Sequence, residues 1–163
     1  LSSVYYRVQI RGGDKITETQ LIDGKIIIGH LGIGNKNACL FVLTDDYRQF
    51  QEARKDFPEL NILTLCQQGQ EGYYHQRFCN EDAQSKKDGI SRLLISVDIL
   101  LSSQAFAGSI TTGPSVFIMK ARHRDLSVQA VDCPREELAT ALRLPISKRS
   151  TISTEHLSRH VTR

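Results

Sequence analysis

The chain is expected to fold as an α/β unit, three layers with a parallel sheet between helices, and three observations predict it. Short apolar runs of strand length alternate with helical periodicities. The junctions carry Gly, Pro, Asp and Thr, residues that turn a chain or start a helix. A length of 163 residues suffices for one buried core of this kind. Each strand–helix–strand crossover must lie over the sheet and is right-handed in almost every case, so the alternation implies parallel strands covered on both faces.

In chain order, residues 4–10 alternate β-formers and predict the first strand. Residues 25–28 are a further strand candidate, a short extended piece bracketed by Gly24 and Gly29. Residues 39–43 form the next apolar run. Residues 46–56 predict a helix with Phe50, Ala53 and Phe57 on one face, stopped by Pro58. After a strand at 61–65, residues 88–103 carry the strongest helical signal. Ile90, Leu93, Leu94, Val97, Leu100 and Leu101 recur there at the spacing of one amphipathic face. A strand at 105–110 follows, then a helix from Pro114 to about Ala121, with Pro near its first position. Residues 134–142 read as a fourth helix. The domain spans 1–146, and 147–163 is expected to be a solvated, basic tail, where Lys148, Arg149, Arg159 and Arg163 outnumber Glu155.

Composition excludes several classes. Hydrophobic residues at 40% and charged residues at 24% match a globular domain, which argues against disorder. The net charge of +3 is small and gathers in the tail, so the body lacks the dense Lys/Arg array that nucleic acid demands. No apolar run reaches the roughly 18 residues that span a bilayer, and the first ten residues lack the plan of a signal peptide. The chain begins at Leu1 and is expected to be a fragment of a longer protein. Cys39, Cys66, Cys79 and Cys133 form no C-x-x-C pair, so no zinc knuckle or dithiol motif is indicated; Cys39 reads as a core residue, and pairing in an oxidising lumen stays open.

In open α/β sheets ligands bind beyond the carboxyl ends of the strands. Those positions hold Arg11-Gly12-Gly13-Asp14-Lys15, then Thr44-Asp45-Asp46, then Thr111-Thr112-Gly113. An arginine followed by two glycines offers a guanidinium beside backbone that approaches closely, which suits a diphosphate and equally a plain surface turn. Thr111 and Thr112 stand at a helix start, where the dipole favours an anion and where Thr is also an ordinary cap. Asp98 sits among Val97, Ile99, Leu100 and Leu101, so either it has a partner or ligand that offsets desolvation, or it lies on the helix's exposed edge. Gly29, Gly32 and Gly34 do not follow the phosphate-loop order and read as a turn; His156 and His160, spaced i, i+4, lack a third metal ligand; and Lys120, Arg122, His123 and Arg124 read as a solvated helix end.

Taken together, 8–15 (VQIRGGDK), 41–46 (FVLTDD), 97–102 (VDILLS) and 109–112 (SITT), with a weaker match at 75–78 (HQRF), resemble the eukaryotic α1,6-fucosyltransferases and their bacterial nodulation relatives. The similarity spans about residues 4–132 and covers only the C-terminal lobe of that two-lobed family. It implies a Rossmann-like lobe, the donor-binding half of a GT-B glycosyltransferase, and inverting fucosyl transfer from GDP-fucose to a sugar hydroxyl without a metal or other cofactor. By that resemblance Arg11 contacts the diphosphate, Asp98 reads the guanine and Thr111 with Thr112 line the phosphate. Asp45 with Asp46 organise the pocket, Asp14 and Lys15 complete the first motif, and Glu18 is the base for the acceptor hydroxyl. Gln9 replaces the family's guanine-contacting histidine and Gly12 its second arginine. The implied partners are a glycan or glycoprotein acceptor and an N-terminal lobe, in a Golgi luminal parent held by a membrane anchor. Transfer to protein Ser or Thr, and a non-catalytic nucleotide-binding domain, are the alternative readings.

Overall fold

The computed structural model describes residues 5–13 and 21–144. Asp14, Lys15, Glu18, His156, His160 and the tail 147–163 therefore lie outside the described residues. Five parallel strands form one sheet in the order β3-β2-β1-β4-β5: β1 (Tyr5–Ile10), β2 (Cys39–Thr44), β3 (Asn61–Leu63), β4 (Ala105–Gly108) and β5 (Val128–Ala130). Among the described residues six helices accompany it: α1 (Gly24–Gly29), α2 (Tyr47–Asp56), α3 (His75–Asn80), α4 (Ala83–Leu101), α5 (Gly113–Ala121) and α6 (Arg135–Ala141). The expected α/β class holds, and the architecture is Rossmann-like, three layers deep.

Strand alternation sorts the core. Val8, Ile10, Leu40, Val42 and Ala107 meet Ile27 and Ile28 of α1 and Phe50 and Ala53 of α2. On the other face, Phe41, Leu43 and Phe106 meet Leu100 of α4, Ile118 and Met119 of α5 and Leu138 of α6. Both faces are therefore covered, which is why the central strands read as continuous apolar runs.

Three expectations are corrected. Residues 25–28 are helical, not extended: Asp23 caps the turn by accepting from the Lys25 N–H at 2.8 Å, and its carbonyl accepts from Ile26 and Ile27. The fifth strand is β5, a three-residue piece too short to carry a period. The apolar stripe of α4 faces the sheet only in its last turns, where Leu100 is buried and Val97 and Leu101 pack against the core. Only Ser96 and Leu100 of that helix are buried, whereas Ile90, Leu93 and Leu94 are exposed, Leu94 at 63%. Helix α3 arises where no helix was expected.

Past α5, Arg122 pairs with Asp125 at 2.5 Å, and Asp125 also accepts from the Ser127 hydroxyl and N–H at 2.6 and 2.8 Å. These bonds from Ser127 and then Arg122 hold the Asp125 carboxyl down from 3.8 to about 2. A depressed carboxylate stabilises the fold above its unfolded pKa, and the gain fades as pH falls from near 4 through about 2. Asp125→Asn is expected to flatten the acid limb of the stability curve in that window and leave its shape above pH 5 unchanged, as read by thermal melts across pH.

Candidate functional site

Strand β1 lies between β2 and β4, and the chain leaves it toward β2 and β3 before returning to β4 on the other side. A crevice must open above the carboxyl end of β1, the switch point at which ligands bind in such sheets. The loops around it are 11–13, 45–46, 64–74 and 109–113.

On the β2 side Asp45 is the hub. Its carboxylate accepts from the Gly12 N–H at 2.7 Å and the Tyr73 N–H at 2.9 Å, and it pairs with the Arg11 guanidinium at 3.1 Å. The Asp45 carbonyl accepts from the Gly72 N–H at 2.8 Å. Arg11 also lies over the Tyr73 ring, 5.5 Å from its centroid. Asp46 caps α2 through the Arg48 N–H at 2.9 Å and takes the Arg48 side chain on both oxygens, which holds its carboxyl below the usual range. Burial raises the nearby Cys66 thiol to about 11, and the charges of Asp45 and Asp46 add to the rise. A pocket of about 250 Å³ adjoins this cluster, bounded by Gly12, Gly13, Asp46, Arg48, Glu52 and Tyr74.

On the β4 side, Gln9 is 5% exposed and its side-chain oxygen accepts from the Thr112 hydroxyl at 2.5 Å, the Ser115 N–H at 2.9 Å and the Ser115 hydroxyl. The backbone donor at Ser115 requires that the amide oxygen, not its nitrogen, point this way. Gln9 thus fastens the start of α5 to β1 from below. Above it, Asp132 accepts from the Ser109 hydroxyl at 2.5 Å and the Ile110 N–H at 2.9 Å, and Ser109 in turn receives the Thr111 N–H at 3.0 Å. No acid stands in the first turn of α5 to offset its dipole. Sequence reasoning missed Asp132 because it follows β5, the strand that was not recognised.

No protein-family model and no curated protein matches the chain.

The switch point therefore gathers Arg11, Asp45, Asp46 and Thr111 at one edge, with Gln9 and Thr112 buried beneath them. Asp98 does not join them. It is exposed, one turn from the end of α4 that leads into the start of β4, and Ser102 beyond it bonds Arg7 near the start of β1. The exposed-edge reading of Asp98 holds, and Asp98 is not part of the expected pocket; Arg11 and Thr112 follow the neighbouring strands β1 and β4, and the cavity beside Asp46 is lined by neither. Gly29 ends α1 and Gly32 turns with φ +57°, a turn as expected. Arg122 is committed to Ser103 and Asp125 rather than solvated. Among the described residues no group of three metal-ligating side chains assembles, and no helix is long and apolar enough to cross a membrane.

Proposed function

We propose that the chain is the donor-binding lobe of an α1,6-type fucosyltransferase that takes GDP-fucose and delivers fucose to a sugar hydroxyl. The observation that carries this reading is Arg11, held by Asp45 and Tyr73 at the end of β1, opposite the start of α5. A diphosphate lying across the crevice would meet one fixed guanidinium and the start of α5, whose first turn holds no acid of its own. As the bond to fucose breaks, charge builds on the departing GDP, and groups already oriented stabilise it without reorganising. Glu18 takes the acceptor proton in this scheme, and an upstream lobe of a Golgi luminal, membrane-anchored parent supplies the acceptor side.

The test is calorimetric. GDP is expected to bind the 163-residue chain, and Arg11→Ala to weaken it by about tenfold or more, about 1.4 kcal/mol. Guanosine, which has no phosphate, should be indifferent to that change. Absence of GDP binding at millimolar concentration would end the proposal.

A second reading, a nucleotide-binding domain without transfer activity, is favoured by the packing at Gly12. A Cβ there would lie 2.7 Å from the Asp46 Cβ, so the family's second arginine has no room in this loop. GDP binding without fucose transfer, once an upstream lobe is joined, would select it.

A further inference from the structure

Next to the switch point, and sharing Tyr73 with it, three side chains line up as a nucleophile, a base and a group that orients the base. The Cys79 sulfur lies 3.5 Å from His75 Nε2, and His75 Nδ1 lies 3.3 Å from the Tyr73 hydroxyl. His75 and Cys79 are one turn apart on α3, so the helix itself sets their approach. Cys79 is the one exposed cysteine, whereas Cys39, Cys66 and Cys133 are half-buried. Lys86 of α4 donates to the Cys79 carbonyl at 2.8 Å and lies 5.9 Å from the Phe78 ring centroid, and Arg77 lies on α3 itself, while the acids Glu81 and Asp82 follow α3 in the chain.

We infer that Cys79 is a thiol-modification site that exchanges with small disulfides, with His75 as its base and Tyr73 as the residue that orients His75. In the step, the thiol proton passes to His75 Nε2 while Nδ1–H donates to the Tyr73 oxygen. The Cys79 thiolate then attacks one sulfur of the disulfide. A new sulfur–sulfur bond forms, the original one breaks, and the departing thiolate takes the proton from His75. Cys79 is oxidised and the small disulfide reduced, so atoms and electrons balance.

The experiment treats the full chain with substoichiometric glutathione disulfide at pH 7 and maps the adduct by mass spectrometry. Cys79 is expected to react about tenfold or more faster than any other cysteine, Cys66 slowest because its thiol is raised to about 11. His75→Asn should slow Cys79 about tenfold at pH 7, and the gap should close near pH 10, where hydroxide in solution takes over the role of the base. Equal rates at Cys39 or Cys133, or a gap that persists unchanged at pH 10, would overturn the assignment. If His75→Asn disturbs folding, Tyr73→Phe keeps the ring under Arg11 and removes only the hydroxyl. A several-fold slowing supports the orienting role, and an unchanged rate refutes it.

Discussion

Alanine at position 72 is expected to lower stability by about 3 kcal/mol or more, through strain and overpacking together. Gly72 sits at φ +109°, where a side chain is strained whatever the space around it. Its added Cβ would also lie 2.5 Å from the Gly13 Cα and N, and Gly13 is itself at φ +71° against the Tyr73 backbone. The obstacle is main chain, which cannot rotate aside as a side-chain tip can. Relief would require the loop at 72–73 to lift off the loop at 12–13. That movement would break the bonds from the Gly72 and Tyr73 N–H groups to Asp45 and separate the Tyr73 ring from Arg11. Urea denaturation followed by circular dichroism measures the loss. Gly69→Ala is the control, since Gly69 has φ +86° but nothing within 4 Å of an added Cβ, and strain alone should cost it about 1 kcal/mol. Equal losses at the two positions would mean that the interlocked loops contribute nothing.

That interlock also marks the limit of what was legible beforehand. The alternation of strands and helices could be read because central parallel strands are buried on both faces and stay apolar throughout. Residues 25–28 misled for a local reason: three isoleucines carry β propensity, but the Asp23 cap and the burial of Ile27 and Ile28 beneath the sheet outweigh it. In α4 the period was real and its orientation was not encoded by it. Ile90, Leu93 and Leu94 stay exposed, while the inward row is Ser96 and Leu100, flanked by the half-buried Val97 and Leu101, and the small Ser96 hydroxyl bonded to the Arg92 carbonyl lets the helix sit down. The candidate site divides in the same way. Positions that follow strand ends could be found from the sequence, since topology alone puts them at one edge. What each does there depends on distant partners: Asp45 reaches Tyr73 across 28 positions and Gln9 reaches Ser115 across 106. No window of sequence contains those pairings.

The Gln9 pairing yields the other large effect. Gln9→Leu keeps nearly the same volume in the core and removes the acceptor shared by Thr112 and Ser115, so the loss isolates hydrogen bonding from packing. The Thr112 hydroxyl retains the Ser109 carbonyl at 3.2 Å, and the Ser115 hydroxyl can turn, but the Ser115 N–H is fixed by the helix and left buried without a partner. A stranded buried donor costs about 1–3 kcal/mol, and the weakened hydroxyl bonds add to it. The expected total is about 3 kcal/mol, a fall of about 10 °C in Tm. Adding Ser115→Ala to Gln9→Leu should recover only the hydroxyl's share, because the backbone donor remains. A double variant restored to wild-type stability would show that the N–H found another acceptor. If Gln9→Leu alone stays within about 0.5 kcal/mol of wild type, the start of α5 is held by something other than β1. Position 9 would then be open to the guanine contact that the proposed fucosyltransferase reading gives it, and GDP affinity, measured in the same variant, distinguishes the two roles. A strut lowers stability first and affinity only through a displaced α5, whereas a base contact lowers affinity in a chain that melts as before.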